Sequence, residues 1–266
     1  MITSGLNHIW LKSLVEFDLK GILERPHYSF LLPLMIGIFS ALIFFTRVVS
    51  LPGLLIEYPE QIYGLFFGLI GGSIFILFQD MATFDVKSVI PLTVGVILGS
   101  LLFNMVPTQT PETSWFVFLS GSLAICAMIL PGISGSFVLL ILNKYTYIFN
   151  AIGYFKMDIL LPFFLGAITG LVVFSRILYY LLRRFYRNTV LIIIGVLVAS
   201  LWVIWPFQER IYTTTGHKPQ LLNSVPYFPA EFDVTVTLAF IFMLAGFITV
   251  FTINRVVMFK AERTDS

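Results

Sequence analysis

The chain has 266 residues, of which 58% are apolar and 11% charged, with a mean hydropathy of +0.94; a soluble domain carries roughly 25% charged residues, so water is excluded as its main solvent. A formal charge of +2, with no basic run interleaved with aromatic side chains, excludes a nucleic-acid partner. One cysteine, Cys126, excludes an intrachain disulfide and a multi-thiolate zinc site, and the scattered His8, His27 and His217 supply neither a metal site nor a cofactor site.

Residues 1–29 set Lys12, Glu16, Asp18, Lys20, Glu24 and Arg25 among apolar residues at helical spacing. Lacking a clean apolar core, the segment is no signal peptide and reads as an amphipathic helix at the cytoplasmic surface. Apolar windows follow at 30–49, 61–78, 88–106, 115–150 (interrupted), 159–182, 189–206 and 233–254. These lengths approach the ~20 residues a helix needs to cross about 30 Å of hydrocarbon, and no ten-residue alternation suggests a β-barrel. The predicted class is an all-α polytopic membrane protein of about six transmembrane helices plus a re-entrant hairpin. It forms a single integral membrane domain: amphipathic segment 1–29, first repeat 30–106, hairpin 115–150, second repeat 155–258.

Basic loops stay on the cytoplasmic side. Lys12, Lys20 and Arg25 precede the first window, Lys87 lies between the second and third, Arg183, Arg184 and Arg187 follow the fifth, and Arg255, Lys260 and Arg263 end the chain. These segments, and with them both termini, are predicted inside. Residues 50–60 and 107–114 hold no lysine or arginine but do hold Glu57, Glu60 and Glu112; they are predicted outside, as is the loop 207–232. Segment 115–150 must then enter and leave on one side. Pro131-Gly132 at its middle supplies the break, because proline removes a backbone donor and glycine permits a tight turn.

FLLPLMIGIFSALIFFTRVVS (30–50) and ILLPFFLGAITGLVVFSRILY (159–179) align without gaps, with seven of 21 positions identical. Pro33 pairs with Pro162, Gly37 with Gly166 and Arg47 with Arg176. The first copy is predicted to run outward and the second inward, so the repeats have inverted topology, the arrangement of secondary transporters. Gly64, Gly68 and Gly72 form a stripe that reads as close helix packing, and Cys126 reads as a small packing residue.

All 14 acidic residues, including Asp80, Asp85, Asp158 and Asp233, map to loops or window ends, and the ionisable residues read as intramembrane are Arg47 and Arg176. A charge at the centre of a membrane helix costs about 2.5–3.5 kcal/mol, so an anionic ligand is their natural partner. The alternative is that both heads snorkel to the lipid headgroups. The second candidate is Leu130-Pro131-Gly132-Ile133-Ser134-Gly135-Ser136 at the hairpin tip, ahead of the apolar run FVLLILNKYTYIF. A helix N-terminus there exposes backbone N–H groups, Gly135 allows an oxyanion close, and Ser134 and Ser136 add hydroxyl donors. The bland alternative is a turn with serine caps.

Around AICAMILPGISGSFVLLILNKY and LLPFFLGAITGLVVFSRIL, and over residues 1–258, the chain resembles the polyprenyl-phosphate transporter family, also known as domain of unknown function 368. The resemblance implies a flippase moving undecaprenyl phosphate from the outer to the cytoplasmic leaflet of a bacterial or archaeal plasma membrane. It also implies phosphate-binding roles for Pro131, Gly132, Ser134, Gly135 and Ser136, and for the Ser-Arg pair at Ser175 and Arg176. In the family a first-repeat hairpin with a similar Pro-Gly-x-Ser-Gly-Gly motif precedes the part resembling residues 1–20. The expectation is therefore a late-assigned start, or a shortened member that is inactive or needs a second copy. The expected partners are the polyprenyl phosphate and the bilayer, with a homo-oligomer and a coupling ion, proton or sodium, left open. The competing readings are a small-anion channel or secondary transporter on the same donors, and a membrane enzyme, for which the clustered His, Asp or Lys of phosphoryl chemistry are missing.

Overall fold

The computed structural model describes residues 28–79, 81, 85–214 and 219–264. The amphipathic segment predicted over 1–29 lies outside them, apart from its last two residues, which begin the first helix. Among the described residues the elements are α1 Tyr28–Ile43, which runs on into a π-helical turn Phe44–Val48, then α2 Leu51–Glu57, α3 Pro59–Gln79, α4 Val86–Phe103, α5 Ser114–Ile129, α6 Gly135–Ile141, α7 Tyr145–Gly153, α8 Met157–Arg184, α9 Tyr186–Val203, β1 Gln208–Thr214, β2 Pro219–Pro226 and α10 Val234–Thr264. Of these, α3, α4, α8, α9 and α10 are long and apolar enough to cross a membrane, while the apolar runs Leu32–Val48 and Ser114–Ile129 are shorter. This is an all-α polytopic membrane protein. The predicted loop 207–232 carries an antiparallel strand pair, with Gln208 opposite Pro226.

The chain divides into two compact units. The first holds residues 83–200, from α4 through most of α9; the second holds α1 to α3, the strand pair and α10. In the second, the predicted glycine stripe is a seam. The place a Cβ would take on Gly64 lies 2.6 Å from the Ala239 carbonyl oxygen, and that on Gly68 meets the Met243 carbonyl. Only glycine lets α3 and α10 approach so closely, and in a bilayer such contact is a principal source of helix association. At the end of the seam Trp205 stacks edge-on against Phe67 with 5.5 Å between centroids, and its indole N–H donates to the Tyr227 carbonyl at 3.0 Å. Helix α10 starts there because the Asp233 carboxylate accepts the Val236 N–H at 2.8 Å, closing an otherwise orphaned donor.

The first unit uses the same device twice. Gly95 and Gly195 bring α4 and α9 together, and Gly121, Gly166 and Gly170 bring α5 and α8 together. Across the second seam the Ser122 hydroxyl donates to the Gly166 carbonyl at 2.7 Å, and Cys126 lies with its sulfur 3.7 Å from the Gly170 carbonyl oxygen.

The two copies of the repeated sequence differ in local structure. Helix α8 is regular through Arg184, whereas the same register in α1 turns π-helical at Phe44 and the helix breaks at Ser50, whose φ is +51°. Thr46 back-bonds to the Leu42 carbonyl at 2.6 Å, drawing on an acceptor of the helical ladder, and Pro52 begins a new helix that α1 cannot join. Gly166 is packed hard against the Phe118 carbonyl, while its counterpart Gly37 has nothing within 4 Å of its Cβ position.

Candidate functional site

The segment predicted to break at Pro131-Gly132 breaks there. Helix α5 ends at Ile129, and α6 starts at Gly135 after a turn in which Gly132 adopts φ +87°. A Cβ on Gly132 would lie 3.1 Å from Leu197 Cδ2 and 3.5 Å from Ser200 Oγ, so the turn rests on α9. Ile133 anchors it from within: it is buried in a cluster with Ala127 and Val196, edged by Leu102, Phe103, Leu130 and Val138. Pro131, Gly132, Ser134 and Ser136 are exposed around this anchor.

The tip differs from expectation in two respects. Gly135 is buried, and a Cβ on it would sit 2.6 Å from the Ala124 carbonyl oxygen; its small size serves the packing of the two hairpin arms. Neither does Ser134 cap the helix. The Ser134 and Ser136 hydroxyls instead face each other at 2.6 Å, so that one donates to the other and one hydroxyl proton remains to point outward. Because α6 is only seven residues long, it brings little dipole to the tip. What the tip offers an anion is a pair of hydroxyls and the N–H groups that precede the first helical bonds.

Arg176 stands on α8 in the same unit, partly buried, as is Ser175. The residues on either side of this pair, Phe174 and Ile177, line an apolar groove of about 340 Å³ with Leu130, Leu178, Ile192 and Ile193. Leu130 at the hairpin tip and the arginine-bearing stretch of α8 thus border one groove. Arg47 belongs to the other unit, on the π-helical turn, where its side chain is exposed.

Sequence reasoning missed two residues. Ser200, buried behind Gly132, spends its hydroxyl on the Leu197 carbonyl at 2.7 Å; one serine in an apolar helix gives no advance signal. Lys144 corrects the statement that the ionisable residues within the windows are two arginines. The run 135–150, expected as one helix, is divided at Leu142–Lys144, where Asn143 has φ +53°, and Lys144 folds inward until it is 2% exposed. Its Nζ donates to the Thr110 carbonyl at 2.9 Å and lies 5.3 Å from the centre of the Tyr147 ring. The signal was available: a lysine beside an asparagine, a residue that tolerates left-handed backbone, inside an apolar run.

At the start of α4, Asp85 and Ser88 close a capping box that Arg187 of α9 joins, with its Nη2 2.8 Å from the carboxylate and 2.7 Å from the Ser88 hydroxyl. The Ser88 hydrogen bond, and after it the Arg187 charge, hold the Asp85 carboxyl below its ordinary value. Among the described residues no three His, Cys, Asp or Glu side chains gather to hold a metal ion.

A family model described as undecaprenyl phosphate translocase-like matches residues 2–222. A Vibrio cholerae protein named polyprenyl-phosphate transporter is 33% identical over 91% of this chain and 80% of its own length. A Staphylococcus aureus protein of the same name is 30% identical over 71% of this chain and 74% of its own. No solved structure matches the chain. Both relatives carry the name of a transporter and neither that of an enzyme. With its membrane-length apolar helices, this multi-pass membrane protein belongs to the undecaprenyl phosphate translocase-like family.

Proposed function

We propose that the protein is a flippase that returns a polyprenyl phosphate, undecaprenyl phosphate or a near relative, from the outer to the cytoplasmic leaflet for reuse as a cell-wall carrier lipid. The observation that carries the site assignment is the exposed Ser134–Ser136 hydroxyl pair, which no helix cap consumes. In this reading the pair and the N–H groups beside it take the phosphate oxygens. Arg176 adds a charged fork suited to phosphate, with Ser175 beside it. Pro131 and Gly132 shape the turn, and Gly135 lets the arms close behind it. Arg47 is the corresponding group of the first repeat. The isoprenoid tail leaves along the apolar groove beside Phe174 and Ile177 and stays in lipid. Both termini are cytoplasmic, segment 115–150 is re-entrant, and exchange between the inverted repeats turns the headgroup site from one leaflet to the other.

Purified protein in liposomes loaded with a polyprenyl phosphate tests this. Wild-type protein is expected to move the headgroup between leaflets, and Ser136→Ala combined with Arg176→Ala to abolish the movement while the protein remains folded. Unchanged translocation by the double variant overturns the site assignment. Flux of inorganic phosphate or chloride in liposomes free of polyprenyl phosphate favours the small-anion reading instead.

A further inference from the structure

We propose that Lys144 is a positioning residue: it bolts the irregular segment 106–113 to the joint between α6 and α7 and thereby fixes the Pro131–Ser136 tip. The proposal rests on the transport reading above only for its consequence, not for its geometry.

Helix α6 links the tip to Leu142–Lys144, and its seven residues span roughly 10 Å. Any change in direction at residues 142–144 is therefore transmitted to Ser134 and Ser136. Three bonds tie this joint to the segment after α4. The Thr108 N–H donates to the Ile141 carbonyl at 3.0 Å, the Thr110 hydroxyl donates to the Leu142 carbonyl, and Lys144 Nζ donates to the Thr110 carbonyl at 2.9 Å. The first two satisfy the carbonyls of Ile141, which ends α6, and of Leu142, which caps it, neither of which has a partner within the helix. The third reaches back the other way, so the segment is held from both sides.

Burial is what gives the third bond weight. Lys144 is 2% exposed, and its Nζ lies 5.8 Å and 5.3 Å from the ring centres of Phe116 and Tyr147. Phe116 is in the first turn of α5 and Tyr147 in the first turn of α7, so one amino group gathers both arms of the hairpin and the segment outside them. A lysine on a solvated loop would leave its amino group in water; here the folded chain places it against a carbonyl and two rings. Removing the amino group takes this bond from the half-buried Thr110 carbonyl, which lowers the population of the bolted arrangement about tenfold.

The test separates position from transport. In full-length Cys126→Ser protein reconstituted in liposomes, Ser134→Cys reports on the tip through its rate of reaction with a maleimide. Adding Lys144→Met is expected to change that rate about tenfold. Thr110→Val is expected to change it less, and the two together no more than Lys144→Met alone, because both act at one joint. Lys144→Arg, which keeps a donor, is expected to restore part of the wild-type rate. In parallel, with Ser134 and Cys126 native, Lys144→Met is expected to slow polyprenyl phosphate translocation and Lys144→Arg to restore it in part.

A maleimide rate within twofold of the parent in Lys144→Met, or in Thr110→Val where the lysine variant does not fold, overturns the proposal. If the tip rate shifts but even wild-type protein moves no polyprenyl phosphate, the positioning role stands and the transport reading falls. If translocation is normal in wild type and the tip rate does not respond, the reverse holds.

Discussion

The paired glycines of the repeat allow one prediction to be worked through in energy. Gly37 and Gly166 occupy the same place in the aligned copies, yet a methyl group on Gly37 meets nothing within 4 Å, and one on Gly166 runs into the Phe118 carbonyl. That obstacle is backbone, so it cannot rotate aside, and α5 and α8 must part. Overpacking of this sort costs about 1–3 kcal/mol. Parting the helices also weakens the Ser122 hydroxyl bond to the Gly166 carbonyl, in a membrane protein about 0.6 kcal/mol. Alanine in place of glycine gives back up to about 1 kcal/mol of helix propensity, at both sites alike. Gly166→Ala should therefore destabilise by about 1–3 kcal/mol and Gly37→Ala should stabilise by up to about 1 kcal/mol. At roughly 2–4 °C per kcal/mol, and with the propensity gain common to both, the two variants should melt about 3–14 °C apart. Thermal unfolding in detergent, read by fluorescence-detected size-exclusion chromatography, measures the gap. Equal melting temperatures for the two variants, or a lower one for Gly37→Ala, would refute the packing argument.

Other contacts make further predictions. Gly132→Ala puts an L-residue at φ +87°, a conformation that costs about 1–2 kcal/mol, so the melting temperature should fall by about 2–8 °C and translocation about tenfold; full activity would show that the turn need not keep this shape. Asp85 is held below its ordinary carboxylate value, so its stabilising contribution is complete above about pH 4 and disappears as the pH falls through the lower, folded value. The melting temperature of wild type should accordingly exceed that of Asp85→Asn at neutral pH and converge with it in acid. A gap that stays constant down to pH 3 would mean that the carboxylate charge is not what Arg187 and Ser88 recognise.

The spans were legible because bilayer physics leaves few alternatives: once a chain is this apolar, uninterrupted windows have to be helices. The glycine stripe at Gly64, Gly68 and Gly72 was legible for a related reason, since spacing of four places all three on one helix face. Pro131-Gly132 announced the break between α5 and α6, but the second break at Leu142–Lys144 did not stand out. It is created by contacts from the segment 106–113, which lies far away in sequence, and a left-handed asparagine is a weak local cue. The packing role of Gly135 stayed hidden for the same reason. A glycine beside two serines suggests a cradle, and only the neighbouring helix reveals that the missing side chain would have struck the Ala124 carbonyl. The strand pair at 207–232 escaped notice because its run of polar residues reads as irregular loop. Where α1 turns π-helical, a gapless alignment with α8 was a poor guide, since Ser50 and Pro52 lie at and just beyond its edge.

The hairpin is mechanically lopsided. One limb is an unbroken helix of sixteen residues, about 24 Å of stiff rod, and the other is two short pieces meeting at a left-handed asparagine. The rod carries its own stiffness, whereas the jointed limb takes its stiffness from outside, from the bonds that Thr108, Thr110 and Lys144 make across the joint. A substitution in residues 106–113, remote from the crest in sequence, therefore reaches the crest through one limb and leaves the other untouched.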